Sequence, residues 1–155
     1  MNGCDQVKEK VEKMTKTFRN YQYNHRSVID SKFRENGLYF GQPPILKYLS
    51  ENENATQKEI ADFLHISAPS VATSLKRMEE AGLVVRLENK NDARKNTLKL
   101  TKKGKELTKF ADDYFLRIDN VTFAGFNNEE IDLLISFIER MNDNLTAFAK
   151  EEKHV

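Results

Sequence analysis

The chain has 155 residues, about one domain in size and long enough to bury a core without disulfides or a structural metal. Lys and Arg total 25 against 24 Asp and Glu, and charged residues make up 32% of the chain, but 39% hydrophobic content with ten Phe and five Tyr excludes a disordered tail. Cys4 is the single cysteine, which excludes an internal disulfide or a Cys-x-x-Cys knuckle. No apolar run nears the ~20 residues of a membrane span, so a cytoplasmic protein with no membrane partner, signal peptide or cofactor is expected.

The spacing predicts a first helix over about residues 5–34, carrying a heptad stripe of Val7, Val11, Met14, Phe18, Tyr21, His25, Val28 and Lys32. A strip so narrow and long needs a cover, from its own domain or from a second chain. Gly41-Gln42-Pro43-Pro44 opens a short helix, where prolines are tolerated because first-turn N–H groups lack intrahelical partners; Ile45, Leu46 and Leu49 form its inner face. Thr56-Gln57-Lys58-Glu59 is a capping box ahead of Ile60, Ala61, Phe63 and Leu64. After the turn at His65-Ile66, Ser67 caps a further helix with Pro69 in its first turn, Val71, Leu75 and Met78 inward, and Gly82 placed for a left-handed C-terminal cap. Two short helices joined this tightly form a helix-turn-helix.

From Leu83 the period changes to two: Leu83, Val85 and Leu87 alternate with Val84, Arg86 and Glu88, and Leu98 and Leu100 repeat the pattern after the polar run 89–96. A two-stranded hairpin with a basic tip is expected. Thr101 caps a helix to about Val121, and Asn127 caps a last one in which Ile131, Leu134, Ile138, Met141, Leu145 and Phe148 keep an unbroken heptad. Charge is uneven along the chain: nine basic and seven acidic residues over 1–55, ten and six over 56–104, six and eleven over 105–155. A basic middle followed by an acidic end suits a chain whose central part meets a polyanion.

With Val71, Leu75 and Met78 inward, the second helix of the pair turns out Ala68, Pro69, Ser70, Ala72, Thr73, Ser74, Lys76 and Arg77. Small residues let a helix seat in a major groove, hydroxyls bond base edges or phosphates, and the cations lie where phosphates flank the groove. Ser67, Pro69, Ser70, Thr73, Ser74, Lys76 and Arg77 are therefore candidate DNA contacts, joined from the hairpin by Arg86, Asp92, Arg94 and Lys95. Arg94 suits a narrow minor groove, with Asp92 able to hold its side chain outward.

Thr56-Gln57-Lys58-Glu59-Ile60-Ala61, Ile66-Ser67-Ala68-Pro69-Ser70-Val71, Leu75-Lys76-Arg77-Met78-Glu79-Glu80-Ala81-Gly82-Leu83-Val84-Val85-Arg86, Asp92-Ala93-Arg94-Lys95 and Leu100-Thr101-Lys102-Lys103-Gly104 stand in an order and spacing that resemble the MarR (multiple antibiotic resistance regulator) family of bacterial transcription factors. The motifs cover about residues 40–107, and the flanking helices match the family's layout across nearly the whole chain. The resemblance implies a mainly α fold with a small β-hairpin wing: a single winged helix-turn-helix domain over 1–155, with dimerisation helices at 5–35 and 102–150 and a DNA-binding lobe at 41–100 whose wing spans about 84–100. It also implies a homodimer on a double-stranded pseudo-palindromic operator, usually repressing, and often released by a small ligand or an oxidant. For a small aromatic effector the candidates are Tyr21, His25, Arg26, Tyr39 and Tyr114, with Tyr23, Phe40 and Phe110 as further pocket material.

Two other readings stay open: a redox-responsive regulator acting through Cys4, and a winged-helix module that binds protein. Against the first, Cys4 lies ahead of the expected helix start with no basic neighbour to lower its pKa. His25, His65 and His154 share no metal-ligand spacing, and phosphate loops, Gly-x-Ser-x-Gly elbows and His-Glu-x-x-His helices are all missing, so neither a metal centre nor an enzyme is expected.

Overall fold

The computed structural model describes residues 3–87 and 96–152. Its elements run α1 (Gly3–Glu35), α2 (Pro43–Glu51), β1 (Ala55–Thr56), α3 (Gln57–Leu64), α4 (Ala68–Glu80), β2 (Val84–Leu87), β3 (Thr97–Leu100), α5 (Lys102–Thr122) and α6 (Asn128–Glu151). Contacts divide the chain into two compact units, residues 1–113 and 114–155.

In the first unit the core gathers Ile45, Leu46 and Leu49 of α2, Ile60 and Ala61 of α3, Val71, Leu75 and Met78 of α4, and Leu83, Val84, Leu98 and Leu100 around the sheet. Each fully buried aliphatic side chain contributes about 1.5–3 kcal/mol against exposure. Helix α1 joins this core through Ile29 and Phe33, four residues apart, with the Phe33 ring edge-on to Phe110 at 6.2 Å. The heptad stripe lies on a neighbouring face, where Val7, Val11, Met14, Tyr21 and Val28 are exposed and Phe18, His25 and Lys32 half-buried.

Three helices of this unit close with the same device, in which a residue of positive φ lets the following N–H reach back across the last turn. Leu38 N–H donates to Phe33 O past Gly37 (2.9 Å), Ile66 N–H to Ala61 O past His65 (3.2 Å), and Leu83 N–H to Met78 O past Gly82 (2.8 Å). The middle one makes the turn of the helix-turn-helix, and His65 takes the left-handed conformation there at φ 52°.

The hairpin belongs to a three-stranded antiparallel sheet ordered β1-β3-β2. The two-residue strand β1 pairs Ala55 with Leu98 and Thr56 with Thr97, and was too short for a period-two pattern to announce it. The period-two alternation of β2 leaves its facing open, and the structure turns Val84 and Arg86 toward the interior. Val84 is buried and Arg86 half-buried, whereas Val85 and Leu87 are 44% and 43% exposed. On that inner face Arg86 is ion-paired with Glu79 of α4.

The second unit holds the end of α5, a turn through Gly125 (φ 87°), and α6. Asn127 and Glu130 cap α6 reciprocally: Asn127 Oδ1 accepts from Glu130 N–H at 2.9 Å, and Glu130 Oε2 accepts from Asn127 N–H at 3.0 Å. No residue of α6 is buried, and Ile138, Met141, Leu145 and Phe148 of its heptad are exposed.

Candidate nucleic-acid interface

Two caps set the helix-turn-helix geometry. Thr56 Oγ1 accepts from Glu59 N–H, and Glu59 Oε2 accepts from Thr56 N–H (2.6 Å) and from the Thr56 hydroxyl (2.9 Å). These bonds hold the Glu59 carboxyl below its ordinary pKa, because the backbone and side chain of Thr56 both donate to the charged form. Ser67 Oγ accepts from Ser70 N–H and lies 2.8 Å from the Ser70 hydroxyl, starting α4 with Pro69 in its first turn. Gln57 of α3 donates to Ala68 O at 3.2 Å, tying the first turns of the two helices together.

With Val71, Leu75 and Met78 fully buried, α4 cannot rotate, and its outer surface is settled by that constraint. Pro69, Ser70, Thr73, Lys76 and Arg77 are exposed and Ser74 is half-buried, as the sequence pattern required. The Thr73 hydroxyl donates to Pro69 O at 3.0 Å, which commits its proton to the helix and leaves the oxygen as an acceptor. Lys76 Nζ stands 4.0 Å from Glu80, an exposed pair that leaves the cation available to a stronger anion.

Arg86 is placed differently from the other candidates. Its Nε and Nη2 donate to Glu79 Oε1 of α4 at 3.2 and 2.7 Å, with both side chains 32% exposed. Asp92, Arg94 and Lys95 lie outside the described residues.

The far end of α4 is held by α5. Lys103 Nζ donates to Ala81 O (2.9 Å), the Thr101 hydroxyl to Gly82 O (2.7 Å), and Thr101 N–H to Leu83 O (3.0 Å). Thr101 Oγ1 also accepts from Gly104 N–H at 3.0 Å, so one side chain caps α5 and fastens it to the end of α4. Sequence reasoning found the cap but not the fastening, since nothing in the pattern points Thr101 or Lys103 backward to carbonyls eighteen or more residues away.

The expected effector residues are only partly drawn together. Tyr21 and His25 stack on α1 with ring centroids 5.7 Å apart, and the Arg26 guanidinium lies 4.6 Å over the Phe40 ring. Tyr39 is exposed, while its N–H donates to the buried Gln42 Oε1 at 3.0 Å. Tyr114 belongs to the second unit. A cavity of about 420 Å³ beside α2, β3 and α5 is lined by Leu49, Leu100, Lys105, Thr108 and Lys109, and by none of those five residues. Helix α1 begins at Gly3, so Cys4 falls inside its first turn rather than ahead of it, which removes the positional objection; its side chain lies outside the described residues. Among the described residues no group of three His, Cys, Asp or Glu is placed to hold a metal ion, and no helix is long and apolar enough to cross a membrane.

A family model described as MarR family matches residues 36–95, from just after α1 to just before β3. The uncharacterized HTH-type transcriptional regulator YwoH of Bacillus subtilis is 33% identical, over 61% of this chain and 68% of its own. The crystal structure of the MarR family transcription regulator SP03579 superposes with a TM-score of 0.83 at 20% identity, covering 97% of this chain and 99% of that one. A Staphylococcus aureus MepR–DNA complex gives 0.71 at 23% identity, covering 83% and 94%. Helix-turn-helix, three-stranded wing sheet and long flanking helices define a winged-helix transcriptional regulator. The chain belongs to the MarR family.

Proposed function

We propose that this regulator binds a double-stranded pseudo-palindromic operator as a homodimer, represses from it, and is released by a small aromatic effector. The observation that carries the DNA reading is the outward surface of α4, where small and hydroxyl side chains give way to Lys76 and Arg77 above a fully buried Val71, Leu75 and Met78. In this reading Ser67, Pro69, Ser70, Thr73 and Ser74 meet the major groove, and Lys76 and Arg77 meet flanking phosphates. Asp92, Arg94 and Lys95 between β2 and β3 serve the minor groove, on sequence grounds alone. That the similar MepR fold was solved as a DNA complex supports the same reading.

The homodimer reading rests on the two apolar stripes. An exposed heptad on α6 and another on α1, each several turns long, are larger apolar surfaces than a soluble monomer ordinarily leaves in water. A second copy supplies the matching stripes by symmetry. The effector reading assigns Tyr21, His25, Arg26, Tyr39 and Tyr114 to a small aromatic ligand, supported by the Tyr21–His25 ring pair and the Arg26–Phe40 stack on solvent-facing parts of α1.

Equilibrium sedimentation together with DNA-binding titrations over a range of salt concentrations tests this reading. A dimer whose log affinity falls linearly and steeply with log salt is the expected result. A monomer, or a chain with no salt-dependent affinity for any duplex, overturns it.

A further inference from the structure

Arg86 carries the sequence signature of a DNA contact, a basic residue on the wing's first strand, but its surroundings give it other work. Two of its donors, Nε and Nη2, converge on Glu79 Oε1, and each side chain of the pair is about two-thirds covered. A phosphate approaching that guanidinium would also approach the Glu79 carboxylate, so the pair as a whole offers a polyanion no net charge. Partly desolvated, charge-assisted pairs of this kind hold direction as well as energy, because the planar guanidinium fixes the angle of approach.

The placement of the two residues matters more than their charge. Glu79 sits in the last turn of α4, directly after the fully buried Met78 and just before the cap at Ala81. Arg86 sits in the middle of β2, opposite Leu98 of β3, which in turn pairs with Ala55 of β1. The ion pair therefore crosses from the recognition helix to the strand that leads into the wing. On the other strand the exit of β3 is tied to the same end of α4, through Thr101 to Gly82 O and Leu83 O and through Lys103 to Ala81 O. Both wing strands are thus anchored at the C-terminal end of α4, β2 by an ion pair to Glu79 in the last turn and the exit of β3 by hydrogen bonds to Ala81, Gly82 and Leu83 just beyond it. The same facing leaves Val85 and Leu87 exposed on the outer side of β2, with Val84 and the anchored Arg86 inward.

We infer that Glu79 and Arg86 are positioning residues that lock the wing's root strand to the C-terminal turn of α4, so that the helix and β2 reach DNA as one rigid body at a set angle. The inference rests on the DNA-binding reading proposed above. It assigns Arg86 no phosphate and gives Glu79, an acidic residue on a DNA-binding helix, a reason to be there. A rigid two-element reader favours duplexes whose major- and minor-groove features fall in register, so the lock acts on sequence preference rather than on general affinity for DNA.

The test uses the full-length protein and a duplex that it selects from a random-sequence library, with a scrambled duplex of equal length beside it. Wild type, Glu79→Gln, Arg86→Gln, the double variant, and the swap Glu79→Arg with Arg86→Glu are titrated against both duplexes at several salt concentrations. Thermal unfolding of each variant shows that it is folded. Each single variant is expected to lose on the order of fivefold in affinity for the selected duplex, with scrambled-duplex affinity and salt slope unchanged. The double variant is expected to lose no more than either single one, and the swap to recover most of the loss, as for two groups that act only through each other.

A phosphate contact predicts the reverse: Arg86→Gln weakens both duplexes and lowers the slope by about one ion per protomer, while Glu79→Gln binds as tightly as wild type or more tightly, having shed a negative charge. Either of those results overturns the inference, and so does an equal loss on both duplexes accompanied by a lowered melting temperature, which marks a merely structural pair. Wild-type protein that selects no duplex overturns the DNA reading itself and the inference with it, an outcome visible before any variant is made.

Discussion

Gly104 in the first turn of α5 lies directly against the Leu83 carbonyl, so close that a Cβ on Gly104 would occupy the space of that oxygen and crowd the Leu100 side chain. Helix α5 can approach the end of α4 only because this residue has no side chain, and the approach is what lets Thr101 and Lys103 reach the carbonyls of Ala81, Gly82 and Leu83. The obstacle is backbone, with no flexible end to swing aside. Gly104→Ala is therefore expected to destabilise the chain by about 1–3 kcal/mol, the usual cost of overpacking, read as a lowered melting temperature. Gly41→Ala is the control, since nothing lies within 4 Å of a Cβ there and no positive φ is required; it is expected to be near neutral. Equal losses from both would show that the close approach carries no weight.

The homodimer reading is tested at the α6 stripe. Leu134→Glu with Ile138→Glu puts two carboxylates into a surface that a second copy would cover, and unpaired buried charge is strongly unfavourable. Ile138 is exposed, Leu134 is half-buried and no residue of α6 is fully buried within the chain, so the same pair of substitutions should leave the monomer folded. Sedimentation is expected to show a folded monomer that has lost operator binding. A stable dimer in this variant removes α6 from the interface.

Much of this architecture was legible in the chain because local rules are strong where they act. Thr56 to Glu59, Ser67 before Pro69, and Asn127 to Glu130 are caps whose chemistry is complete within four residues, and each forms as its spacing requires. The inward residues of α4 were equally readable from a 3.6-residue period. What escaped is what depends on distant partners. Ile29 and Phe33 are the residues by which α1 enters the core, yet they sit beside a longer and more regular heptad on a largely exposed face. Strand β1 has two residues and exists only because β3 is there to pair with it. The facing of β2 does not follow from its alternation, since both sets carry apolar residues: Val84 is buried and Arg86, half-buried, bonds Glu79, seven residues earlier on another element, while Val85 and Leu87 are exposed. Phe63 shows the same limit: it fits the apolar pattern of α3 but is 58% exposed, lying against the Tyr48 ring at 4.6 Å.

The capping box at the start of α3 carries a pH dependence whose sign follows from its bonds. The Glu59 carboxyl is held below its ordinary value of 4.5 by donors that favour the ionised form. Its contribution to stability is thus fully present above that value and is lost as pH falls through the lower folded value. Glu59→Gln removes the titration, so the melting temperature of wild type relative to the variant is expected to be level above about pH 6 and to fall on acidification below about pH 4. A difference that stays constant down to acid pH would show that the Thr56–Glu59 bonds do not persist in solution. Thr56→Ala, which removes the cap oxygen, is expected to cost about 1 kcal/mol at neutral pH.

Arg94 stands between β2 and β3 in a run that sequence alone marks as basic, outside the described residues. Arg94→Ala is expected to cost on the order of 2 kcal/mol of operator binding and to lower the salt slope by about one ion per wing, with dimer and fold intact. Asp92→Ala should show a smaller loss of the same sign. Operator affinity at physiological salt that is unchanged in Arg94→Ala would leave the wing without a reading role.

The exposed surface of α4 separates two kinds of contact that a single titration series can tell apart. Thr73 spends its hydroxyl proton on Pro69 O at 3.0 Å, so toward a base edge its oxygen can only accept, and its methyl group remains for apolar contact. In a major groove that combination suits the amino group of adenine or cytosine and the methyl of thymine. Thr73→Ser keeps the acceptor and drops the methyl, whereas Thr73→Val keeps the methyl and drops the acceptor. If both features read bases, each variant should shift preference at the same base pair by about 1 kcal/mol or more, in different directions, with the salt slope unchanged. Lys76 reaches out on a flexible stem, paired at 4.0 Å with the exposed Glu80, so Lys76→Ala should weaken every duplex alike and lower the slope by about one ion per protomer. Selection of preferred duplexes by each variant, followed by salt titrations, reads both quantities. Should Thr73→Val and Lys76→Ala reduce affinity for all duplexes by the same factor, with no change of preferred sequence, Thr73 meets the backbone and base reading must come from elsewhere on the helix.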